Sequence, residues 1–199
     1  MSNKSPTDVR ELDARAARSQ RALGAALIAL MIDERFDRIT VQQVLDRAGV
    51  GRSTFYAHFR NKDDLLLSDA ERFITMLERH FMGIADGTTR VAPIVELFSH
   101  VEDVARFVDA LDRSGRQDAV FELLLGHLAQ MIERRLDVLV PNREALALGH
   151  AGSARICAAM AMEMLRWFRD HPGAGTAKEM DQRFHAMVWR GLPGAVTPA

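Results

Sequence analysis

Cysteine is almost absent from this sequence of 199 residues, which contains only Cys157. One thiol cannot form an intramolecular disulfide, so the chain fits a reducing compartment. Cys157 lies in a run rich in alanine and methionine, which favours an inert buried thiol over the alternative of a reactive or redox-sensing one. Runs of about 20 consecutive apolar residues are also missing, so we expect no transmembrane helix.

The first 21 residues are polar and charged, without the apolar stretch of a secretory signal. We therefore expect a cytoplasmic protein with no membrane partner. The formal net charge of −1 argues against a histone-like protein that coats nucleic acid. It does not exclude a protein that reads DNA, because only the local charge of the reading face matters.

Motifs for catalysis, metal binding or cofactor binding are missing as well. The chain lacks a nucleophile-elbow motif, a phosphate loop, a zinc-protease motif and a dinucleotide fingerprint, so we predict no enzyme, no catalytic residue and no cofactor. The histidines at 80, 100, 127 and 150 are scattered without metal-ligand spacing, so we predict no metal site.

A helical period of three to four runs through nearly the whole sequence, while alternating strand patterns are scarce. We predict an all-α fold of about nine helices and a disordered arm over residues 1–13. The predicted helices are approximately 14–34, 41–48, 52–59, 62–81, 92–111, 118–139, 152–170 and 176–190. Glycine, proline and asparagine mark the connections after residue 84.

Two short helices on either side of Gly49 form the most informative part of this pattern. The Thr40 hydroxyl can cap the first of them, and Gly49 can end it in a left-handed conformation. Two helices joined by such a turn form a helix-turn-helix unit. The predicted inward-facing residues are Phe36, Ile39, Val41, Val44, Leu45, Ala48, Val50, Phe55 and Phe59. The predicted outward-facing residues are Arg52, Ser53, Thr54, Tyr56, Ala57 and His58.

The outward-facing side chains suit a DNA surface. An arginine can form two hydrogen bonds to a guanine edge in the major groove, and hydroxyl groups can donate to phosphate oxygens. Lys62, at the start of the next helix, adds a cation that can neutralise a phosphate. The alternative is an ordinary solvated helix face, but the turn, the core pattern and the polar face together favour DNA binding.

The segment LGAALIALMIDERFDRITVQQVLDRAGVGRSTFYAHFRNKDDLL, residues 23–66, resembles the TetR family of one-component transcriptional regulators. A generic helix-turn-helix would not also contain TFYAHFRNKDDLL. The resemblance implies that Thr40 and Gln42 contact the DNA backbone or bases, and that Arg52 and Ser53 read bases. It also implies phosphate or base contacts from Thr54, Tyr56 and His58, and a phosphate contact from Lys62.

Two residues depart from the family pattern. Arg35 occupies a position at which the family usually has glycine, and a left-handed arginine there would cost on the order of 1 kcal/mol. Met31 stands where phenylalanine is common. Neither departure lies in the reading helix.

The resemblance also implies a DNA-binding domain over residues 1–62 and an effector-binding and dimerisation domain over residues 63–199. Small residues and an apolar stripe recur on the penultimate helix, and a second apolar stripe lies on the last helix. Paired across a two-fold axis they would form a four-helix dimer interface, whereas the alternative is an intramolecular core. The candidate interface residues are Ile156, Met160, Met164, Phe168, Met180, Phe184 and Val188.

A small-molecule pocket is expected among the middle helices, although its residues suit a plain core equally well. The candidates are Phe98, Phe107, Phe121, His127, Met131, Met160, Glu163 and Trp167. Glu163 is either a partner for a polar ligand group or a surface carboxylate. The favoured function is a dimeric, ligand-responsive repressor that binds a palindromic DNA operator. A helical scaffold that binds only protein is the rival, and it predicts no salt-dependent DNA binding.

Overall fold

The computed structural model describes residues 6–85, 87–99, 108–113 and 115–191. Within these ranges no residue lies in a β-strand, and the all-α prediction is confirmed. The α-helices are α1 (Pro6–Asp33), α2 (Val41–Ala48), α3 (Arg52–His58), α4 (Lys62–Ala85), α5 (Ile94–Phe98), α6 (Gln117–Leu139), α7 (Gly149–Asp170) and α8 (Ala177–Gly191). Residues 108–113 are also helical, and 3₁₀ turns occupy Phe36–Arg38 and Arg143–Ala145.

Two predicted boundaries were wrong. The disordered arm was predicted to extend to residue 13, but α1 begins at Pro6, since proline is well suited to the first position of a helix. The single helix predicted over 92–111 instead ends at Phe98, with Ser99 as its C-cap. Residues 100–107 lie outside the described part of the chain.

The chain divides into two compact units. The first contains Met1–Asp69 and Arg106–Gln117, and the second contains Ala70–Ala105 and Asp118–Ala199. The division therefore falls inside α4 rather than at the predicted boundary after residue 62. The segment 106–117 belongs to the first unit although more than 30 residues separate it in sequence from the rest of that unit.

The core of the first unit consists of the predicted apolar residues of α1 to α3. Leu23, Leu27 and Met31 of α1 are almost completely buried, as are Phe36 and Phe55. Met31 thus fills the core position at which the family usually has phenylalanine. Arg35 has a φ of −64°, so the backbone strain considered for a left-handed residue at this position does not arise.

The second unit has its own core, and residues 88–92 are fastened to it by side chains from α6 and α8. Arg135 donates to the carbonyls of Thr88 and Arg90 at 2.9 and 3.1 Å. His185 Nε2 accepts from the Val91 amide at 3.0 Å, which fixes the unprotonated nitrogen of that ring. These bonds satisfy backbone groups that would otherwise be buried without partners.

Arg90 connects the same segment to α8 through its guanidinium group. It donates to Glu96 and to Asp181, whose Oδ1 lies 2.9 Å from Arg90 Nη2. Burial acts to raise the pKa of Asp181, but the hydrogen bonds and charges of His185 and Arg90 together hold that pKa below its ordinary value. Asp181 is therefore a carboxylate at neutral pH and serves as a structural anchor.

Candidate nucleic-acid interface

The first helix of the helix-turn-helix is capped at both ends as the sequence predicts. The Thr40 hydroxyl accepts from the Gln43 amide at 3.2 Å, and Gln43 Oε1 accepts from the Thr40 amide at 2.7 Å. This reciprocal pair is a capping box. At the other end Gly49 has a φ of 64°, a left-handed conformation that costs little only for glycine. The local chemistry therefore sets both the length of α2 and the turn into α3.

Buried aromatic side chains anchor α3 beneath its polar face. Phe55 is fully buried, and its ring lies 5.7 Å from that of Phe59, which is 4% exposed. Tyr56 packs edge-on against Phe55 at 5.2 Å between ring centroids, yet its side chain is 53% exposed. The anchoring leaves the opposite side of the helix available to another molecule.

The structure places most of the predicted DNA-contacting residues on the surface of the first unit. Arg52, Ser53, Tyr56 and His58 of α3 are exposed, and Thr54 is half-buried. On α2, Gln42 is exposed and donates to Asp46 at 2.8 Å, while the exposed Thr40 is occupied in capping. Contact of these side chains with DNA remains a prediction.

His58 shows a contact that the sequence did not reveal. Its Nδ1 lies 3.2 Å from Nε2 of Gln20 on α1, so α1 flanks the end of the reading helix. Arg15, Arg18 and Arg21, on the same part of α1, are also exposed. A partner 38 residues away leaves no local signal in a single sequence.

Lys62 is the predicted DNA-contacting residue whose geometry differs most from expectation. Its ammonium group donates to the carbonyl of Ile39 at 2.8 Å and to that of Phe36, and it lies 4.5 Å from the centroid of the Phe36 ring. An ammonium group has three N–H donors, and two of them are thus used within the domain. Lys62 holds the 3₁₀ turn before α2, and its geometry does not support the expected phosphate contact.

The predicted effector-pocket residues do not gather in one place. Phe98 and Met131 are buried in the core of the second unit, and Phe121, His127 and Met160 are half-buried. Glu163 is a surface carboxylate 3.3 Å from Arg166, so the expectation that it lines a pocket was wrong. Trp167 is 45% exposed and stacks on His171. Phe107 lies outside the described residues.

The predicted dimer residues separate into two groups. Met180, Phe184 and Val188 are at most 3% exposed and belong to the core of their own unit, so their assignment to an intermolecular surface was wrong. Ile156 is 56% exposed, Met160 and Met164 are half-buried, and Phe168 packs 5.2 Å from Phe98. The stripe on α8 was correctly recognised as apolar, but it faces inward.

The surface formed by α7 and α8 contains a groove of about 440 Å³ with an apolar floor. Its lining residues are Met164, Trp167, Met180, Arg183, Ala186, Met187 and Arg190. Met187 is 48% exposed on the side of α8 adjacent to the inward stripe. Large exposed apolar side chains that cluster on two neighbouring helices are typical of an interaction surface.

Two searches for sites outside the helix-turn-helix returned nothing in the described part of the chain. The described residues contain no group of three or more metal-ligating side chains. Among the helices that the structure describes, none combines the length and the apolar character that a bilayer crossing requires.

Comparison with known proteins identifies the N-terminal segment. Residues 24–68 match the family model for bacterial regulatory proteins of the tetR family. No curated protein matches the chain significantly.

Solved structures of similar fold extend the likeness to the second unit. A TetR transcriptional regulator from Streptococcus agalactiae has a TM-score of 0.58 at 22% identity, and the alignment covers 90% of this chain and 98% of that one. The repressor SmeT of Stenotrophomonas maltophilia has a TM-score of 0.58 at 19% identity, covering 90% and 94%. NalD of Pseudomonas aeruginosa has a TM-score of 0.57 at 16% identity, covering 90% and 98%. At these identities the likeness shows the fold.

Proposed function

We propose that this chain, a transcriptional regulator of the tetR family by its N-terminal domain, is a repressor that binds a palindromic operator as a dimer and is released by a small molecule. The observation that carries the proposal is the exposed polar face of α3, with Arg52, Ser53 and Tyr56 above the buried Phe55. A rigidly held helix that presents these side chains matches the way helix-turn-helix proteins read DNA.

The proposed reading mode assigns different work to different side chains. α3 enters the major groove, which is about 12 Å wide, and Arg52 donates two hydrogen bonds to a guanine edge. Ser53, Thr54, Tyr56 and His58 contact phosphates or nearby base edges and set the register. Gln42 approaches the backbone from α2. Specificity then depends mainly on Arg52, and affinity depends on the group as a whole.

A dimer follows from the size of one reading head, since a single seven-residue helix makes few base contacts. Two copies that read half-sites about 34–36 Å apart double those contacts on a palindrome. We propose that the α7–α8 surface forms the interface, with Ile156, Trp167 and Met187 as the apolar contacts. Glu163 on α7, with Arg183 and Arg190 on α8, provides charges of opposite sign that a two-fold axis can pair.

Release by an effector requires that the ligand bind a DNA-incompetent conformation more tightly than the DNA-bound one. A coupling of about 1–3 kcal/mol would change operator affinity 5–150-fold. SmeT and NalD are described as repressors of multidrug efflux pumps, and SmeT has been solved in complex with triclosan. We therefore propose an apolar effector for this chain, with the half-buried Phe121, His127 and Met160 as candidate contacts.

Selection of bound duplexes from random DNA tests this function most broadly. We expect enrichment of an inverted repeat whose half-site centres are one helical turn, or a multiple of it, apart. Binding of the selected duplex should weaken steeply with salt, as phosphate contacts require. A panel of small molecules that includes triclosan then tests release. No enrichment, together with binding that salt does not affect, would favour a helical scaffold that binds only protein.

A further inference from the structure

Residues 108–117 contain two arginines that hold the two helices flanking the helix-turn-helix. Arg113 reaches the C-terminus of α1, and Arg116 reaches the start of α4. The reading helix lies between these two points in sequence, while both arginines come from more than 40 residues further along the chain. The segment belongs to the first compact unit, as these contacts require.

Arg113 supplies a cation that α1 itself lacks. The last turn of α1 contains no basic residue, and the last four carbonyls of any helix have no partner within it. Arg113 Nη2 donates to the carbonyl of Ile32 at 3.1 Å and to that of Met31 at 3.4 Å. A positive charge at this position is favoured by the helix dipole.

Arg116 makes the corresponding contact at the other end of the domain. Its Nε lies 2.8 Å from Oδ1 of Asp63, in the first turn of α4, and its guanidinium carbon lies 5.3 Å from the centroid of the Phe36 ring. Lys62 lies 4.5 Å from the same ring centroid. The 3₁₀ turn that leads into α2 thus contacts two cations through one aromatic side chain.

A glycine turn directs Arg116 toward this contact. Gly115 has a φ of 67°, its amide donates to the carbonyl of Asp112, and the amide of Arg116 donates to that of Leu111. This pattern is a Schellman motif, which ends the helix at 108–113 and reverses the chain direction. The next residue, Gln117, begins α6.

We infer that Arg113 and Arg116 are positioning residues for operator binding, which set the orientation of the reading helix without touching DNA. The inference rests on the proposed function. Both side chains bind groups of the DNA-binding domain, and the segment that contains them continues directly into α6 of the second unit. A change at the start of α6 therefore reaches the reading helix through these two arginines.

Fluorescence anisotropy with the selected duplex tests this inference in the full-length protein. We expect Arg113→Gln and Arg116→Gln each to weaken binding about tenfold, within the usual range for coupling between sites. The slope of log K against log salt should stay unchanged, because neither residue contacts a phosphate. A phosphate contact contributes about 0.9 to that slope. Arg155→Gln, which breaks the exposed pair with Glu122 in the second unit, is the matched control and should bind as the wild type does.

Asp63→Asn provides a second approach to the same contact. It should weaken binding as Arg116→Gln does, and the double variant should show little additional loss, because both substitutions break one interaction. Arg113→Lys should recover part of the affinity that Arg113→Gln loses, since an ammonium group also donates to carbonyls.

Several results would overturn the inference. They are affinities within twofold of the wild type, a salt slope reduced by about 0.9, losses that add fully in the double variant, and an equal loss in Arg155→Gln. Failure of the wild-type protein to bind any selected duplex would instead remove the proposed function, and the inference with it.

Discussion

Cys157 lies on the inward side of α7, and its thiol is 4% exposed. Burial raises the pKa of the thiol to about 11. We predict that the folded protein does not react with a thiol reagent at pH 8, where about one thiol in a thousand is ionised. The reagent absorbance at 412 nm measures the reaction, and unfolding in guanidinium chloride should release one thiol per chain.

Ala151→Cys is the control for Cys157, because residue 151 is exposed on the same helix. This variant should react with one equivalent of reagent while folded. Rapid reaction of the wild-type thiol under the same conditions would show that Cys157 is accessible and would support the redox-sensing alternative.

Lys62 shows which properties of a residue a sequence pattern does not contain. Its position at the start of α4 was predicted, and so was its proximity to the reading head. Its hydrogen bonds to the carbonyls of Phe36 and Ile39 depend on a 3₁₀ turn more than 20 residues earlier in the chain. The contact is tertiary, and no periodicity in the sequence predicts it.

At the scale of the element, the turn between α2 and α3 offers a comparison between two glycines. Gly49 has a φ of 64°, whereas Gly51 has a φ of −72° and a ψ of 150°. A Cβ atom at either position would meet nothing within 4 Å, so backbone conformation alone distinguishes them. We predict that Gly49→Ser lowers the free energy of unfolding by about 1 kcal/mol.

Gly51→Ser is the matched control, because serine is favoured at a helix N-cap with extended backbone. It should leave the free energy of unfolding unchanged or raise it slightly. Urea denaturation followed by circular dichroism measures both variants. Equal destabilisation by the two serines would mean that the left-handed turn does not limit stability here.

The short elements were the most predictable because their end signals lie within a few residues. Thr40 and Gly49 gave the exact bounds of α2, and a buried Phe55 was predicted from spacing alone. The helix predicted over 92–111 failed because its apolar pattern continues past Ser99, where α5 ends. Apolar spacing indicates a helix but does not by itself show where the helix stops.

At the scale of the whole molecule, the exposed apolar side chains of α7 and α8 predict a dimer. We expect Trp167→Glu and Met187→Glu to produce monomers, because a charge in an apolar interface loses its hydration without gaining a partner. Light scattering coupled to size exclusion measures the mass. Val138→Glu, at a 66% exposed position on α6, is the control and should remain dimeric.

Phe184→Glu separates the core from the interface. Phe184 is fully buried within its own chain, so a charge there should unfold the protein rather than yield a folded monomer. A folded monomeric Phe184→Glu variant, or dimeric Trp167→Glu and Met187→Glu variants, would move the interface away from this surface. Sequence spacing recognised both apolar faces of this helix pair, but it could not assign one of them to the core and the other to the surface.

The central claim is that the exposed face of α3 reads DNA sequence. Anisotropy titrations of Arg52→Ala against single-base variants of the selected operator test it most directly, with the exposed Arg79→Ala of α4 as the control. The account predicts that Arg52→Ala loses about 1–3 kcal/mol and stops discriminating at one or two base pairs, while Arg79→Ala matches the wild type. An equal loss on every sequence, or no loss at all, would contradict it.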